Sequence, residues 1–163
     1  GLGFPTNTRA QFLHLDPNHV EALKPGKRPS TTLTPSLVTK DGAPYMVFGT
    51  PGGDKQDQWT LQFFLNQAVF EMSPQQAAEA PRFQSKSFPD SFWPHAYFPG
   101  RLDLEGRIDD DTAEDLKRRG HLVTRIDDFA RITGDVCGIT RDSEDGTVTA
   151  ASDLRADAYA MAR

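Results

Sequence analysis

The segment that most constrains the fold is Gly49-Thr50-Pro51-Gly52-Gly53, which joins an apolar run to a long helical pattern. The apolar run, Tyr45-Met46-Val47-Phe48, predicts a central strand that is buried on both faces. From Asp54 to Met72, apolar residues recur at helical spacing, which predicts a helix packed within a layer. Glycines between the two allow positive φ and a close approach of the backbone to a ligand. The junction therefore suits an oxyanion hole at a helix start, and a plain tight turn is the alternative.

The flanking pattern predicts an α/β (α+β) domain with a mostly antiparallel sheet. Ser36-Leu37-Val38-Thr39 should form a hairpin with the apolar run through an Asp41-Gly42 turn, and Ser73 should cap a short helix. The other expected elements are an irregular stretch over 82–100, a strand at 102–104, a helix capped by Asp111 and ending near Arg119, a strand at 121–126, a hairpin of 136–140 and 147–151, and a helical or frayed tail over 156–163. Helices should cover one sheet face, so something outside this chain should cover the other.

Charge and composition exclude several functional classes. Lys and Arg number 18 against 23 Asp and Glu, and a net charge of −5 argues against a nucleic-acid surface. No apolar run approaches the roughly 20 residues that span a bilayer, so no membrane segment is expected. Cys137 is the only cysteine, which excludes an intrachain disulfide and a cysteine metal cage. We expect Cys137 to be a buried, inert thiol in a strand. A single cysteine suits any cellular compartment, so the compartment stays open.

Two polar segments are further candidates for binding. The segment Lys27-Arg28-Pro29-Ser30-Thr31-Thr32-Leu33-Thr34-Pro35 places many hydroxyls beside a basic pair just before a strand, which suits a carboxylate ligand. The segment Asn7-Thr8-Arg9-Ala10-Gln11-Phe12 is a loop of amide and hydroxyl groups. Ordinary surface-loop composition is the alternative for both. The four histidines, at positions 14, 19, 95 and 121, lack the helical spacing of a metal site, so they predict structural or surface roles.

These segments occur in an order that resembles the gamma-glutamyltranspeptidases. Lys-Arg-Pro, a hydroxyl pair, a hairpin with Asp-Gly, and Gly-Thr-Pro-Gly-Gly before a long helix all match the family pattern. Further on, Ala80-Pro81-Arg82-Phe83 and Ala151-Ser152-Asp153-Leu154-Arg155 match two more of its segments. The resemblance implies an N-terminal-nucleophile hydrolase, whose αββα sandwich forms from two subunits made by self-cleavage. Residues 1–163 would be one domain, the C-terminal part of the small catalytic subunit, with a substrate-loop region at 1–30.

The resemblance also implies roles for individual residues. Gly52 and Gly53 would supply the oxyanion hole. Thr31 and Thr32 stand where the family has a Ser pair that holds the donor's α-carboxylate. Aligned by Phe12, three residues fall in the loop that receives the donor, namely Asn7, Thr8 and Gln11.

Gln11 stands in place of an Asp that would pair with the donor's α-ammonium. An amide is a weaker partner for an ammonium than a carboxylate, so we expect a reduced preference for glutamyl donors, and glutaryl-like acyl groups become plausible.

The family's nucleophile is the Thr at the N-terminus of the small subunit, whose own α-amine serves as base. This chain begins with Gly, so we expect the nucleophile to lie upstream and the isolated chain to be inactive. The expected function of the parent is cleavage of γ-glutamyl amides such as glutathione, without metal or cofactor and with the large subunit, or N-terminal remainder of the precursor, as partner. The alternative is a non-catalytic binding or assembly domain. Family analogy favours a periplasmic or extracellular location, and a cytoplasmic one stays open.

Overall fold

The computed structural model describes residues 3–4 and 7–161. The strands are β1 (Ser36–Lys40), β2 (Ala43–Gly49), β3 (Phe83–Ser85), β4 (Arg101–Glu105), β5 (Leu122–Ile126), β6 (Cys137–Arg141) and β7 (Val148–Ala151). The helices are α1 (Gln56–Ala68), α2 (Pro74–Glu79) and α3 (Asp110–Arg118). Four antiparallel pairings and one parallel pairing connect the strands, which confirms the predicted α/β class with mostly antiparallel sheet.

The larger sheet has the strand order β1-β2-β6-β7. The predicted hairpin is present, because Lys40 pairs with Ala43 across a two-residue turn. Both turn residues have positive φ, 51° at Asp41 and 79° at Gly42, as a tight hairpin turn of this kind requires. The predicted closing hairpin is present as the pair β6–β7.

A second, three-stranded sheet has the order β3-β4-β5 and was not predicted as a separate unit. Strand β3 lies in the stretch that the sequence pattern assigned as irregular, and it is too short to show an alternation of apolar residues. Strands β4 and β5 are parallel, because helix α3 provides the crossover between them.

Helix α1 packs on one face of the larger sheet and ends earlier than predicted, at Ala68 rather than Met72. Met46 of β2 and Trp59 and Phe63 of α1 form the centre of the core, each at most 2% exposed. Glu71 has φ 54°, which is incompatible with a continued helix.

Two helix caps can be compared with the sequence expectations. Ser73 caps α2, as predicted. The cap of α3 is Asp109 rather than Asp111, since three consecutive aspartates fit the pattern and the backbone is extended at the first of them.

The opposite face of the larger sheet is open, which corrects the expectation that β2 is buried on both faces. Leu37, Val47 and Ile139 occupy directly paired positions on this face, and they are 61%, 41% and 43% exposed. Cys137 lies two residues before Ile139, on the same face. Its thiol is exposed, so the prediction of a buried thiol was wrong.

Within residues 3–4 and 7–161, no helix is long and apolar enough to cross a membrane. No cluster of three or more acidic, His or Cys side chains in this part of the chain is arranged to hold a metal ion. The tail over 156–161 contains no helix, and residues 162–163 lie outside the described part.

Candidate functional site

The glycine turn after β2 leads through a 3-10 turn, Gly53–Lys55, into α1. Gly52 has φ 130° and Gly53 has φ 68°, in a backbone region that other residues rarely adopt. A Cβ added at Gly52 would lie 2.1 Å from the ring of Trp59, and one added at Gly53 would lie 2.9 Å from the ring of Phe92. Both positions therefore require glycine, and a different aromatic ring backs each of them.

The predicted substrate loop forms a short 3-10 turn, Thr8–Phe12. Asn7 caps this turn, because its Oδ1 accepts a hydrogen bond of 2.7 Å from the backbone N–H of Arg9. The side chains of Thr8 and Gln11 are exposed on the turn. The three loop residues expected from the sequence thus lie on or beside one turn, whose conformation Asn7 fixes.

The two threonines of the predicted carboxylate segment differ in their surroundings. Thr32 is 6% exposed, and its Oγ1 accepts a hydrogen bond of 3.1 Å from Nη1 of Arg9. Thr31 is exposed, and its Oγ1 accepts a bond of 3.3 Å from the backbone N–H of Leu33. The structure therefore connects Thr32 directly to the substrate loop, through a residue that the sequence patterns did not single out.

Phe92 joins the substrate loop to the glycine turn. Its ring packs edge-to-face on the ring of Phe12, with centroids 4.6 Å apart. The guanidinium carbon of Arg9 lies 5.0 Å from the centroid of Phe12 and 5.9 Å from that of Phe92. Since Phe92 also backs Gly53, the loop, Thr32 and the turn surround one aromatic pair.

Carboxylates hold the segment that carries Phe92 in place. Both oxygens of Asp54 accept hydrogen bonds from Ser91, at 2.6 Å from its N–H and 2.7 Å from its hydroxyl. Asp90 accepts a bond of 3.0 Å from the N–H of Phe92 and pairs with Lys55 at 3.4 Å. Burial alone would raise the pKa of Asp90, but these two partners together hold it below its usual value. Hydrogen bonds and an ion pair therefore join the start of α1 to residues 90–92.

On the side of Trp59, the glycine turn borders a cleft of about 490 Å³. The lining residues are Pro51, Gly52, Lys55, Trp59, Gln84, Lys86, Arg131, Ile132, Gly134 and Asp135. Gly134, with φ 78°, is as restricted as Gly52, because a Cβ there would lie 2.5 Å from the ring of Trp59. The indole ring thus packs against two glycines, and this contact fixes the position of the turn at Gly52.

A buried ion network lies behind this cleft. Arg155 forms two hydrogen bonds of 2.6 Å to the carboxylate of Glu105 and one of 2.9 Å to Asp153. Asp153 also pairs with Arg82 at 2.6 Å, and all four side chains are at most 2% exposed. Arg82 donates a bond of 3.2 Å to the carbonyl of Gly134. The network therefore fixes the backbone against which Trp59 packs.

Each charge in the network is compensated by its partners. Burial alone would raise the pKa of Glu105, but the hydrogen bonds and charge of Arg155 outweigh this effect and keep the pKa low. Burial and the nearby charge of Arg155 lower the pKa of the Arg82 guanidinium, and Asp153 opposes that shift. Removal of one member would leave an uncompensated buried charge.

Three histidines form a stack next to the substrate loop. The ring centroid of His14 lies 3.5 Å from that of His19 and 4.1 Å from that of His95, with nearly parallel planes. Nδ1 of His19 accepts a bond from the N–H of Glu21, and Nδ1 of His95 lies 2.9 Å from the carbonyl of Asp90. Burial, and then the charges of His19 and His95, lower the pKa of His14. The spacing of the histidines in the sequence did not predict this stack, because the three rings meet only in the folded chain.

Comparison with known proteins identifies the family. The family model described as gamma-glutamyltranspeptidase matches residues 2–163. This chain belongs to the gamma-glutamyltranspeptidase family. It is 35% identical over 159 residues to a glutathione hydrolase-like YwrD proenzyme of Bacillus subtilis (strain 168). The aligned region covers 98% of this chain and 29% of that relative.

Two solved structures extend the comparison. A structure named LmbA2991HD is 43% identical, has a TM-score of 0.89, and aligns over 99% of this chain and 29% of its own. The cephalosporin acylase from Bacillus halodurans is 33% identical with a TM-score of 0.79, over 92% of this chain and 26% of its own. The chain thus spans less than a third of the length of each of these three proteins.

In this family member, the two segments that carry the ion network were used in the sequence analysis only as markers of family resemblance. Arg82 joins the two segments directly through Asp153, and Glu105 accepts hydrogen bonds both from the backbone N–H of Arg82 and from the side chain of Arg155. The pairing of two arginines with acidic residues in otherwise apolar segments was the available signal. No local signal pointed to Phe92 or Trp59, because their role depends on glycines elsewhere in the chain. Gly53 is 39 positions from Phe92, and Gly134 is 75 positions from Trp59.

Proposed function

We propose that the protein containing this chain is an amide-cleaving hydrolase or acyltransferase that works through an acyl-Thr intermediate. The observation that carries the proposal is the turn of Gly52 and Gly53. Their positive φ angles and their packing against Trp59 and Phe92 fix this turn just before the start of α1. The backbone N–H groups of such a turn are suited to stabilise an oxyanion. The names of the relatives, glutathione hydrolase-like proenzyme and cephalosporin acylase, support the same reaction class.

The proposed chemistry has two balanced steps. A threonine Oγ attacks the amide carbonyl carbon, the carbonyl oxygen becomes an oxyanion beside Gly52 and Gly53, and the C–N bond breaks as the amine leaves with a proton. Water or a second amine then attacks the ester carbon, and the threonine oxygen leaves with a proton. We propose that the nucleophile lies outside this chain, because Thr31 and Thr32 are internal and lack the free α-amine that serves as base.

The open sheet face supports a partner from the same precursor. Leu37, Val47 and Ile139 form a row of exposed apolar side chains across three strands, and Val148 on the fourth is 39% exposed. Packing a second sheet on this face would bury apolar area and complete an αββα sandwich. The proposed partner is the large subunit, or N-terminal remainder, of a precursor longer than this chain.

Gln11 supports an acyl donor other than, or besides, a γ-glutamyl group. Its exposed amide stands where the family pattern has an Asp for the donor's ammonium. The proposed substrate class is therefore γ-glutamyl or glutaryl-like amides, held by the loop residues Asn7, Thr8 and Gln11 and by Thr31 and Thr32. A relative named as an acylase is consistent with the wider class.

Intact mass measurement and N-terminal sequencing of the full-length protein test the proposal. We expect two fragments, the smaller beginning with a threonine upstream of this chain, and hydrolysis of an amide donor. A protein that stays in one piece and cleaves no donor would instead support the alternative, a non-catalytic assembly domain whose open sheet face binds its partner.

A further inference from the structure

We infer that Arg9 is a specificity-determining residue that binds the terminal carboxylate of the acyl donor and favours donors without an ammonium group. The inference deepens the proposed function and rests on it, since it names the chemistry of the acyl group at the same site. Its ligand class is an acyl chain that ends in a carboxylate, as in a glutaryl amide.

The surroundings of Arg9 resemble a built anion site. Its side chain is half-buried, and Nη1 donates to the buried hydroxyl of Thr32 at 3.1 Å. That bond uses one of the five N–H donors of the guanidinium. Within residues 7–161, no carboxylate forms an ion pair with Arg9, so the remaining donors are available to a ligand. A planar guanidinium with a hydroxyl beside it matches the geometry of a carboxylate.

The two phenylalanines hold the guanidinium in position. Arg9 lies against both rings, at 5.0 Å from Phe12 and 5.9 Å from Phe92. Aromatic contact limits the motion of the side chain and reduces its hydration, and both effects strengthen a bond to an anion. Because Phe92 also backs Gly53, the carboxylate position and the oxyanion position are fixed relative to each other.

The charge of the loop favours an anion over a zwitterion. Arg9 is the only charged residue among positions 7–12, and Gln11 offers a neutral amide. An ammonium beside the guanidinium would be repelled, whereas a carboxylate would be attracted.

Donor kinetics of the full-length protein test the inference. Three anilides of equal chain length are compared, namely glutaryl, γ-glutamyl and neutral pentanoyl. Replacing Arg9 with Gln should lower kcat/KM for the glutaryl donor by about tenfold to hundredfold, mainly through KM, because a charge-assisted bond is lost. The pentanoyl donor should change less than about twofold, since it makes no such bond. Arg9→Met, which keeps the apolar stem between the two rings, should behave in the same way.

Arg119→Gln is the matched control, because that arginine is exposed on the surface beyond α3 and should leave all three donors unaffected. A parallel fall for glutaryl and pentanoyl donors would overturn the inference, since it would indicate a structural role. An unchanged glutaryl preference in Arg9→Gln would also overturn it.

Equilibrium binding of glutarate, measured by calorimetry, separates this inference from the proposed function. If no amide is cleaved but glutarate binds and Arg9→Gln abolishes binding, the carboxylate site stands and the catalytic proposal fails. If donors are cleaved but glutarate binds equally to both proteins, the reverse holds.

Discussion

Nη2 of Arg82 and Oδ2 of Asp153 lie 2.6 Å apart, although 71 positions separate the two residues in the sequence and neither side chain is more than 2% exposed. This ion pair joins the segment after α2 to the segment after β7. Because Arg82 also bonds to the carbonyl of Gly134, the pair anchors the backbone behind Trp59. Stability and the geometry of the glycine turn thus depend on the same contact.

Asp153→Ala should destabilise the protein by about 3–5 kcal/mol, because it leaves two buried arginines without one of their carboxylates. Urea unfolding followed by tryptophan fluorescence measures the loss. Asp115→Ala is the control, since Asp115 pairs only with exposed arginines and its loss should lower the stability far less. Equal costs for the two variants would show that the network contributes no more than a surface pair.

Gly52→Ala should lower the free energy of unfolding by more than Gly26→Ala does. Both glycines have positive φ, 130° and 75°, but only at Gly52 would an added Cβ clash with a ring, at 2.1 Å from Trp59. The shared backbone cost is about 1–2 kcal/mol, and the clash with Trp59 should add about 1–3 kcal/mol and abolish donor hydrolysis. Thermal unfolding and donor kinetics check this prediction. Normal hydrolysis by Gly52→Ala would contradict a role for the turn in the reaction.

Gln11→Asp should shift donor preference towards γ-glutamyl anilide. The added carboxylate offers a charge-assisted bond to the donor's ammonium, which should raise the ratio of kcat/KM for glutamyl over glutaryl by about tenfold. Gln11→Asn keeps the position neutral and serves as the control. If the ratio stays the same in Gln11→Asp, the donor's ammonium does not approach this position.

The histidine stack predicts a pH dependence in the acidic range. The pKa of His14 is lowered in the folded state, so the unfolded state binds more protons as the pH falls. The stabilisation should be fully present above the ordinary value of 6.5 and be lost as the pH falls through the lower, folded pKa. Stability curves over this range, with His14→Phe as a variant that stacks without titrating, provide the measurement. His14→Phe should flatten the slope, and an unchanged slope would assign it to another group with a lowered pKa, such as Asp90.

Cys137 reports on the open sheet face. If the remainder of a longer protein covers this face, the thiol should react with a disulfide reagent at least about tenfold more slowly in the native full-length protein than a surface thiol. Arg119→Cys in a Cys137→Ser background supplies that surface thiol. Comparable rates would mean that the face stays open to solvent.

Elements with strong local signals could be predicted from the sequence. The Asp41-Gly42 turn and Ser73 before Pro74 each determine their structure through neighbouring residues, and both predictions were confirmed. The candidate loop and the threonine pair lie close together in the structure, since Arg9 of the loop donates a hydrogen bond to Thr32. Their roles in binding remain predictions.

Features that depend on distant contacts could not be predicted. Strand β3 is three residues long and exists because β4 pairs with it. The exposure of Cys137 follows from which sheet face the helices cover, and an apolar strand pattern does not distinguish a covered face from an open one. Arg9 was missed because its significance comes from Thr32 and Phe92, which are 23 and 83 positions away.

Phe92 contacts Phe12 on one side and backs Gly53 on the other. A substitution at this position would therefore alter the proposed donor loop and the glycine turn at once. In evolutionary terms, the loop and the turn share this one constraint, so a change in the size of the ring acts on both together. A library that randomises the loop while leaving Phe92 in place samples only those specificities that this one ring already permits.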